Sequence, residues 1–505
     1  MSELADRIVR AVKSGEIKDR RDFQNFKLKL SGILGLDGVP PNSEILAEIL
    51  PEDRELLLPF LIKKPMRTAG GTAPVAVMSS PYPCPHGKCI FCPGGTDFGT
   101  PQSYTGKEPA ARRAGRNDYD PFNQVKDRIN QLEAIGHDVS SVDLIIMGGT
   151  FPCREPEYKE MFVRRCFDAL NGKESENIRE ALDANEKSEH RCAAVAMETR
   201  PDRMKNEDAE DAMFLGATRF ELGVQILDDG ILRAVNRGHT VQDIIDATKA
   251  CKDAGLSVCY HIMPGLPGSD PEKDLECFKR VFSDPDFRPD SLKFYTTLVI
   301  GGTGLYEMWK NGEYEPYGTE TAAKLLSEMK TVIPEYVKVN RIQRDIPVSE
   351  IEAGITKSNL RQIVSEHMAA EGKKCRCIRC REVGRTDIEP IDVSEAEPKI
   401  TEYEASGATE YFVSYETEDF LIGFARLRID GNLASVRELK VSGSPGNPEG
   451  WQKRGYAEKL MERAEKKASE CGIGKMRVTC GPGTREFFRK LGYSLEFPYM
   501  TKTLS

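Results

Sequence analysis

"SSPYPCPHGKCIFCPGG", residues Ser79 to Gly95, places Cys84, Cys89 and Cys92 within nine residues as CxxxxCxxC, with two glycines just beyond. Three cysteines are an odd number for a disulfide scaffold and one short of a four-thiolate metal site. The segments around this loop decide the fold. From about residue 70 to 345, short apolar runs alternate with longer amphipathic ones. "VDLIIMGGTF", "CAAVAMETRP", "RFELGVQI", "LSVCYHIMPGLPG" and "SLKFYTTLVI" read as buried strands; "QVKDRINQLEAIG" and "TVQDIIDATKACKDAG" read as helices between them. Such alternation predicts parallel pairing and right-handed crossovers. Active sites form beyond the carboxyl ends of such strands, where "MGGTF", "METRP" and "MPGLPG" stand.

The 505 residues, 39% hydrophobic and 30% charged, suffice for several cores. We divide them into an N-terminal helical region (1–64), a strand–helix domain (65–345), a cysteine-containing linker (346–390) and a mixed α/β domain (391–505), whose end reads as a helix and a last strand. The opening residues lack an apolar signal core, and no uncharged apolar run reaches the ~20 residues of a membrane helix. A soluble, cytoplasmic protein that does not enter membranes is expected. Six of the 14 cysteines fall in two clusters, 84/89/92 and Cys375, Cys377, Cys380. In a reducing compartment such clusters bind metal or do catalysis. The net charge of −9 argues against a general nucleic-acid binder. Basic runs point the other way: "KKCRCIRCR" (Lys373–Arg381), Lys63, Lys64 and Arg67, Arg112, Arg113 and Arg116, and the first thirty residues. A single basic run is usually a solvated face; several of them near metal-type motifs make a nucleic-acid surface the competing reading.

A 4Fe–4S cluster normally takes four thiolates; three leave one iron open to the amino and carboxyl groups of S-adenosylmethionine. The cysteine loop followed by βα units therefore resembles the radical S-adenosylmethionine enzymes, with one residue more than their usual CxxxCxxC. In that family the "MGGT" motif, with Gly148 and Gly149, contacts the cofactor through backbone. The alternative is a zinc site completed by His86 or a distant ligand. Further on, Gln452–Ala457 fits QxxGxA, a loop whose glycine and free N–H groups can take a pyrophosphate. "VRELKV" before it and "GTREFFRKLGY" after it make the order resemble the Gcn5-related acetyltransferases, which bind acetyl-CoA. Glu438, Tyr493 and Tyr499 are acid–base candidates or ordinary packing residues.

The match extends to "CPGG", "QSYTGKEPAARRA", "DPFNQV", "ETRPD", "LGVQ", "NRGHT", "TLVIGGTGLYEMWKNGEY", "RIQRDIP", "NLRQ", "CREVG" and the terminal "PYM". Over roughly residues 65 to 505 the chain resembles the family of the catalytic subunit of Elongator. That resemblance implies an α/β architecture: a partial (β/α) barrel radical-SAM domain, a C-terminal acetyltransferase (GNAT) domain and a short helical N-terminal region. It implies an enzyme that makes 5-carboxymethyluridine at wobble uridine 34 of tRNA from acetyl-CoA, reading the anticodon stem-loop. Cys84, Cys89 and Cys92 would hold the cluster. Glu438, Leu439, Lys440, Val441, Trp451, Gln452 and Lys453, with Arg454 and Gly455, would bind acetyl-CoA. Tyr493 and Glu438 would be catalytic. Two positions depart from the pattern. Ser141 stands where relatives often carry a lysine touching acetyl-CoA, and Phe488, which lacks a hydroxyl, stands where they usually carry tyrosine. The basic helices and "KKCRCIRCR" would contact tRNA. Cys375, Cys377 and Cys380 suggest zinc, with His367 or a cysteine from elsewhere as fourth ligand, or stand as metal-free thiols. A homodimer and further Elongator-type subunits are both compatible. The rival readings are a lysine acetyltransferase with a structural cluster and a catalytically dead tRNA-binding scaffold.

Overall fold

A computed structural model of the chain describes residues 2–63, 68, 70–385, 396–443 and 450–504. Lys64, Arg67 and the junction expected at 390/391 lie outside the described residues. Helices Glu3–Lys13, Arg20–Ile33, Asn42–Glu48 and Pro51–Leu61 enclose a core of their own around Ile8, Phe23, Leu57 and Leu61. The first helix shows why. Ser2 caps it by accepting from the Ala5 N–H, and Leu4, Ala5, Ile8, Val9, Ala11 and Val12 bury one stripe at helical spacing.

Seven strands then form one parallel sheet: β1 (Ala73–Met78), β2 (Ser141–Met147), β3 (Arg191–Thr199), β4 (Arg219–Gln225), β5 (Ser257–Ile262), β6 (Ser291–Phe294) and β7 (Lys338–Ile342). Neighbours in sequence are neighbours in space throughout, and the sheet curls into a partial barrel open between β1 and β7. The crossover helices start where side chains can satisfy first-turn N–H groups. Asp120, Thr240 and Asp270 cap Pro121–Ala134, Val241–Asp253 and Pro271–Ser283. Val142, Leu144 and Ile146 of β2 face these helices, while Asp143, Ile145 and Met147 alternate onto the concave face.

The last domain is a second seven-stranded sheet: β8 (Glu397–Ala405), β9 (Ala408–Glu416), β10 (Leu421–Asp430), β11 (Leu433–Val441), β12 (Lys475–Val478), β13 (Ser494–Glu496) and β14 (Tyr499–Thr503). Its order is β8-β9-β10-β11-β12-β14-β13. Helix Tyr456–Glu470 makes the crossover between parallel β11 and β12. The sequence suggested one helix and a last strand here; a second helix, Arg485–Lys490, and the β13–β14 hairpin are added.

This domain packs on the amino ends of the barrel strands. Gly481 donates its N–H to the Ala193 carbonyl at 3.3 Å. A Cβ at Gly481 or Gly483 would come within 2.5 Å of the backbone or side chain of Arg191 to Ala193. The centre of the interface is ionic. Arg437 donates to both oxygens of Asp290 at 2.7 and 2.8 Å and to Glu410 at 2.6 Å. Arg426 donates to the Asp290 carbonyl at 3.1 Å and to Glu438 at 2.9 Å. Arg428 joins Asp253 and Glu410, and Lys252 lies 3.5 Å from Glu410. Lys252, Arg426, Arg428 and Arg437 are each at most 2% exposed. Burial alone would raise the Asp290 pKa, but Arg437, Lys252 and Arg426 hold it far below the carboxylate range.

Candidate active site

The cysteine loop leaves the carboxyl end of β1 and turns back over the barrel mouth. The NRGH segment fixes it. The Ile90 N–H donates to the Val235 carbonyl at 3.1 Å and Asn236 to the Lys88 carbonyl at 2.8 Å. Gly238, at φ +73°, packs so closely that a Cβ would sit 2.7 Å from that of His86. The loop's cysteines are held singly: Cys84 Sγ lies 3.5 Å from Thr150 Oγ1, Cys89 Sγ 3.2 Å from His86 Nε2, and Cys92 Sγ 3.2 Å from Gln102 Nε2 and 3.0 Å from Ser103 Oγ. Arg237 reaches Cys89 Sγ at 3.7 Å and the Gly223 carbonyl at 2.6 Å. Burial pushes the Cys89 thiol up to about 11 against the pull of Arg237.

These residues line one cavity with Gly149, Glu198, Arg200, Glu221 and His261. Thiolates on one zinc, about 2.3 Å from the metal, stand roughly 4 Å apart. The sulfurs of Cys375, Cys377 and Cys380 approach that spacing, all within 4.8 Å of one another and 3.6 Å between Cys377 and Cys380. Those of Cys84, Cys89 and Cys92 face a shared cavity without closing to it. The loop therefore fits a multi-iron cluster, and the linker triad a single ion. His367 does not join that triad; its Nε2 lies 3.4 Å from Glu371. Gly149, at φ +84°, brings backbone to the cavity wall, and a Cβ on its neighbour Gly148, at φ +136°, would meet Ser79 Oγ at 2.1 Å.

The concave face of the barrel carries a charged chain where branched apolar layers usually sit. Arg219 lies 3.3 Å from Asp143 and 3.7 Å from Glu221. Glu221 takes an ion pair from Lys293 and lies 3.1 Å from His261 Nε2. Burial opposes its charge, but Lys293 and His261 prevail and hold its pKa well down. Glu198 accepts from Tyr104 at 2.7 Å. None of these was singled out from sequence, although Glu221 in "RFELGVQI" and Lys293 in "SLKFY" are charges inside otherwise apolar strands.

The coenzyme-type loop lies at the barrel's other end. β11 and β12 pair only from Ala434 to Val436, after which the strands separate. Glu438, Leu439, Lys440 and Val441 continue along the parted strand. Gln452 Nε2 donates to the Val441 and Gly443 carbonyls at 3.2 and 2.8 Å, tying the loop to that strand. Arg454 lies over Trp451 at 4.3 Å. Gly455 opens the helix at φ +74°, and a Cβ there would meet no protein atom within 4 Å. On the expectation that this loop takes the pyrophosphate of acetyl-CoA, Gly455→Val should weaken that binding tenfold or more through backbone strain, since a β-branched residue resists positive φ. Calorimetric titration with acetyl-CoA measures this, and unaltered iron–sulfur absorbance would exclude general misfolding.

Tyr493 is buried, donating to Glu465 at 2.8 Å, and Phe488 packs against it with ring centroids 5.9 Å apart. Tyr499 donates to the Ala254 carbonyl across the interface at 3.0 Å. Ser141 begins β2, paired with Arg191. The basic runs are less free than they read. Arg113 is buried and donates to the Ala76 carbonyl at 2.5 Å. Lys373 pairs with Glu328 and Glu371, Arg376 with Glu335, and Arg381 with Glu416. Lys374 stays 83% exposed. Among the described residues no helix is long and apolar enough to cross a membrane.

The Radical SAM superfamily matches residues 79–280 and the Radical_SAM C-terminal domain residues 289–370. The ELP3 N-terminal domain matches 1–69 and the acetyltransferase (GNAT) family 382–493. The chain is 48% identical to a tRNA uridine(34) acetyltransferase of Methanocaldococcus jannaschii, spanning 99% of this chain and 97% of that relative. It is 40% identical to Elongator complex protein 3 of Homo sapiens, spanning 100% and 97%. The solved structure of Methanocaldococcus infernus Elp3 with an N-terminal deletion is similar with a TM-score of 0.77 at 43% identity, covering 86% of this chain and all of that one.

Proposed function

The chain belongs to the family of tRNA uridine(34) acetyltransferases and Elongator complex protein 3, and on that footing we propose that it converts uridine 34 of tRNA to 5-carboxymethyluridine with acetyl-CoA and S-adenosylmethionine. The observation that carries the reading is the placement of two sites on one barrel. A three-cysteine cavity lies at the carboxyl ends of the strands and a parted coenzyme cleft at their amino ends, with the charged chain Asp143–Arg219–Glu221–Lys293 between them. Cys84, Cys89 and Cys92 would hold the cluster, which with S-adenosylmethionine would supply the radical chemistry for hydrogen abstraction from the acetyl methyl group.

The chain's own residues do the rest. Gly148 and Gly149 offer backbone to the adenosyl substrate. Glu198 and His261, which line the cavity, would receive the proton lost from uracil C5. At the thioester end burial would raise the Glu438 pKa, but Arg426 outweighs it and keeps the carboxylate ionised as the proposed base. Burial and then Glu465 push the Tyr493 pKa far up, so the hydroxyl stays protonated as the proposed acid. The linker thiols Cys375, Cys377 and Cys380 would hold zinc. Exposed Lys374 and the helical N-terminal domain would meet the tRNA.

Acetyl-CoA with a trideuterated methyl tests the coupling. Given tRNA, S-adenosylmethionine and reductant, the enzyme should place deuterium in 5′-deoxyadenosine and leave two deuteriums on the carbon joined to uridine. Unlabelled 5′-deoxyadenosine beside an intact trideuteroacetyl group on lysine would instead establish the lysine acetyltransferase.

A further inference from the structure

Two aromatic–cation pairs flank the cysteine loop, and nothing in the fold or the chemistry above uses them. Phe98 is 62% exposed, an unusual position for a large apolar ring on a well-built turn. The Thr96–Phe98 turn lies between Gly95 and Gly99, both at positive φ, and Lys88 Nζ lies 5.1 Å from the Phe98 ring. The base of the turn is rigid. Gly94 and Gln102 form a bridge, and Thr100 Oγ1 accepts from the Gly95 N–H at 3.1 Å. Gln102 and its neighbour Ser103 in turn hold the Cys92 sulfur. On the other side Tyr82 stands between Pro81 and Pro83, two residues before Cys84. The Arg154 guanidinium lies 4.5 Å from the Tyr82 ring and 3.5 Å from that of Tyr158, fixed by its 3.0 Å bond to the Ser80 carbonyl. Glu155 accepts from the Tyr82 hydroxyl at 3.2 Å.

We propose that Phe98 with Lys88, and Tyr82 with Arg154, are stacking platforms for the single-stranded nucleotides on either side of the base that enters the cysteine cavity. This deepens the tRNA reading and rests on it. Unpaired bases are recognised by stacking on aromatic and guanidinium planes, with nearby cations answering the backbone. Two isolated rigid rings, each beside a cation and set apart along one loop, match that demand. They do not form the contiguous apolar patch that a protein partner would cover. The foot of the Phe98 turn includes Gln102, which with Ser103 contacts the Cys92 sulfur, so the turn that carries the ring is joined to the cysteine loop.

The test uses the full chain and an anticodon stem-loop carrying 2-aminopurine beside uridine 34, whose fluorescence falls on stacking. Phe98→Ala should weaken binding about tenfold or more and abolish the quench at one flanking position, while Tyr82→Ala does so at the other. Phe98→Trp should preserve both, and Phe98→Leu should behave like alanine. The salt dependence of binding should be unchanged in Phe98→Ala, because no phosphate contact is lost. Iron–sulfur absorbance and melting temperature should stay at wild-type values, as expected for an exposed ring. Wild-type affinity and quench in Phe98→Ala, or full rescue by Leu, would overturn the proposal while leaving tRNA binding intact. A wild-type protein that ignores the stem-loop would remove the tRNA reading beneath it.

Discussion

Anaerobically purified protein with Cys84, Cys89 and Cys92 all changed to alanine is expected to be colourless, with iron at background and no 5′-deoxyadenosine formed from S-adenosylmethionine. The loss should be complete, because the thiolates are the only groups of the loop with high affinity for iron. The polar neighbours that now meet those sulfurs, Thr150, His86, Gln102 and Ser103, are weak substitutes. The loop is also held by backbone bonds to Val235 and Leu305 that involve no sulfur, so the variant should fold and still bind acetyl-CoA at the opposite end of the barrel. The matched control changes Cys375, Cys377 and Cys380. It should keep the colour and lose any stoichiometric zinc. Persistent iron in the first variant, or lost colour in the second, would reassign the two thiol clusters.

Asp290→Ala should be among the most damaging single substitutions for stability. It leaves Arg437 and Arg426 buried without their carboxylate, and breaking one side of a buried ionic pair costs about 3–5 kcal/mol. Denaturant unfolding should show this as a lower midpoint. Replacing Asp290 and Arg437 together by apolar residues of similar volume should cost much less, because no orphaned charge remains. The pH dependence follows from the same group. The folded pKa of Asp290 is depressed far below the unfolded value of about 3.9, so its stabilisation is full above about pH 4 and is lost as pH falls below that. The gap between wild type and Asp290→Ala should therefore be constant at neutral pH and narrow in acid. A gap that widens in acid would mean the carboxyl is not ionised in the folded protein.

The features legible in the sequence were those carried by neighbours in the chain. Apolar runs such as "VDLIIM" ending in "GGT" give a strand and the tight turn beyond it, and the thiol spacing 84/89/92 is local by nature. What escaped depends on contacts between distant segments. In "LIGFARLRI" and "VRELKV", Arg426, Arg428 and Arg437 look like the polar faces of strands against water. They are buried because Asp290 and Asp253 wait across the interface and Glu410 stands on the neighbouring strand, and alternation cannot distinguish a wet face from a docked one. "KKCRCIRCR" reads as a cationic strip for the same reason: its partners Glu328, Glu335 and Glu416 come from other parts of the chain. Glu221 and Lys293 could have been noticed as charges in apolar strands, but that they meet is known only once β4 and β6 curl toward each other.

The ionic interface also bears on how the halves of this chain can be studied. Severed from the barrel, the acetyltransferase half would present Arg426, Arg428 and Arg437 to solvent with Asp290 and Asp253 gone. Glu410 and Glu438 could offset only part of that charge. Such a fragment would bear a cationic face absent from the intact molecule and would attract polyanions, RNA included, without regard to sequence. Retention of tRNA by the isolated half would then be an artefact of dissection. Pull-downs and footprints on truncated chains need arginine-neutralised fragments as their reference.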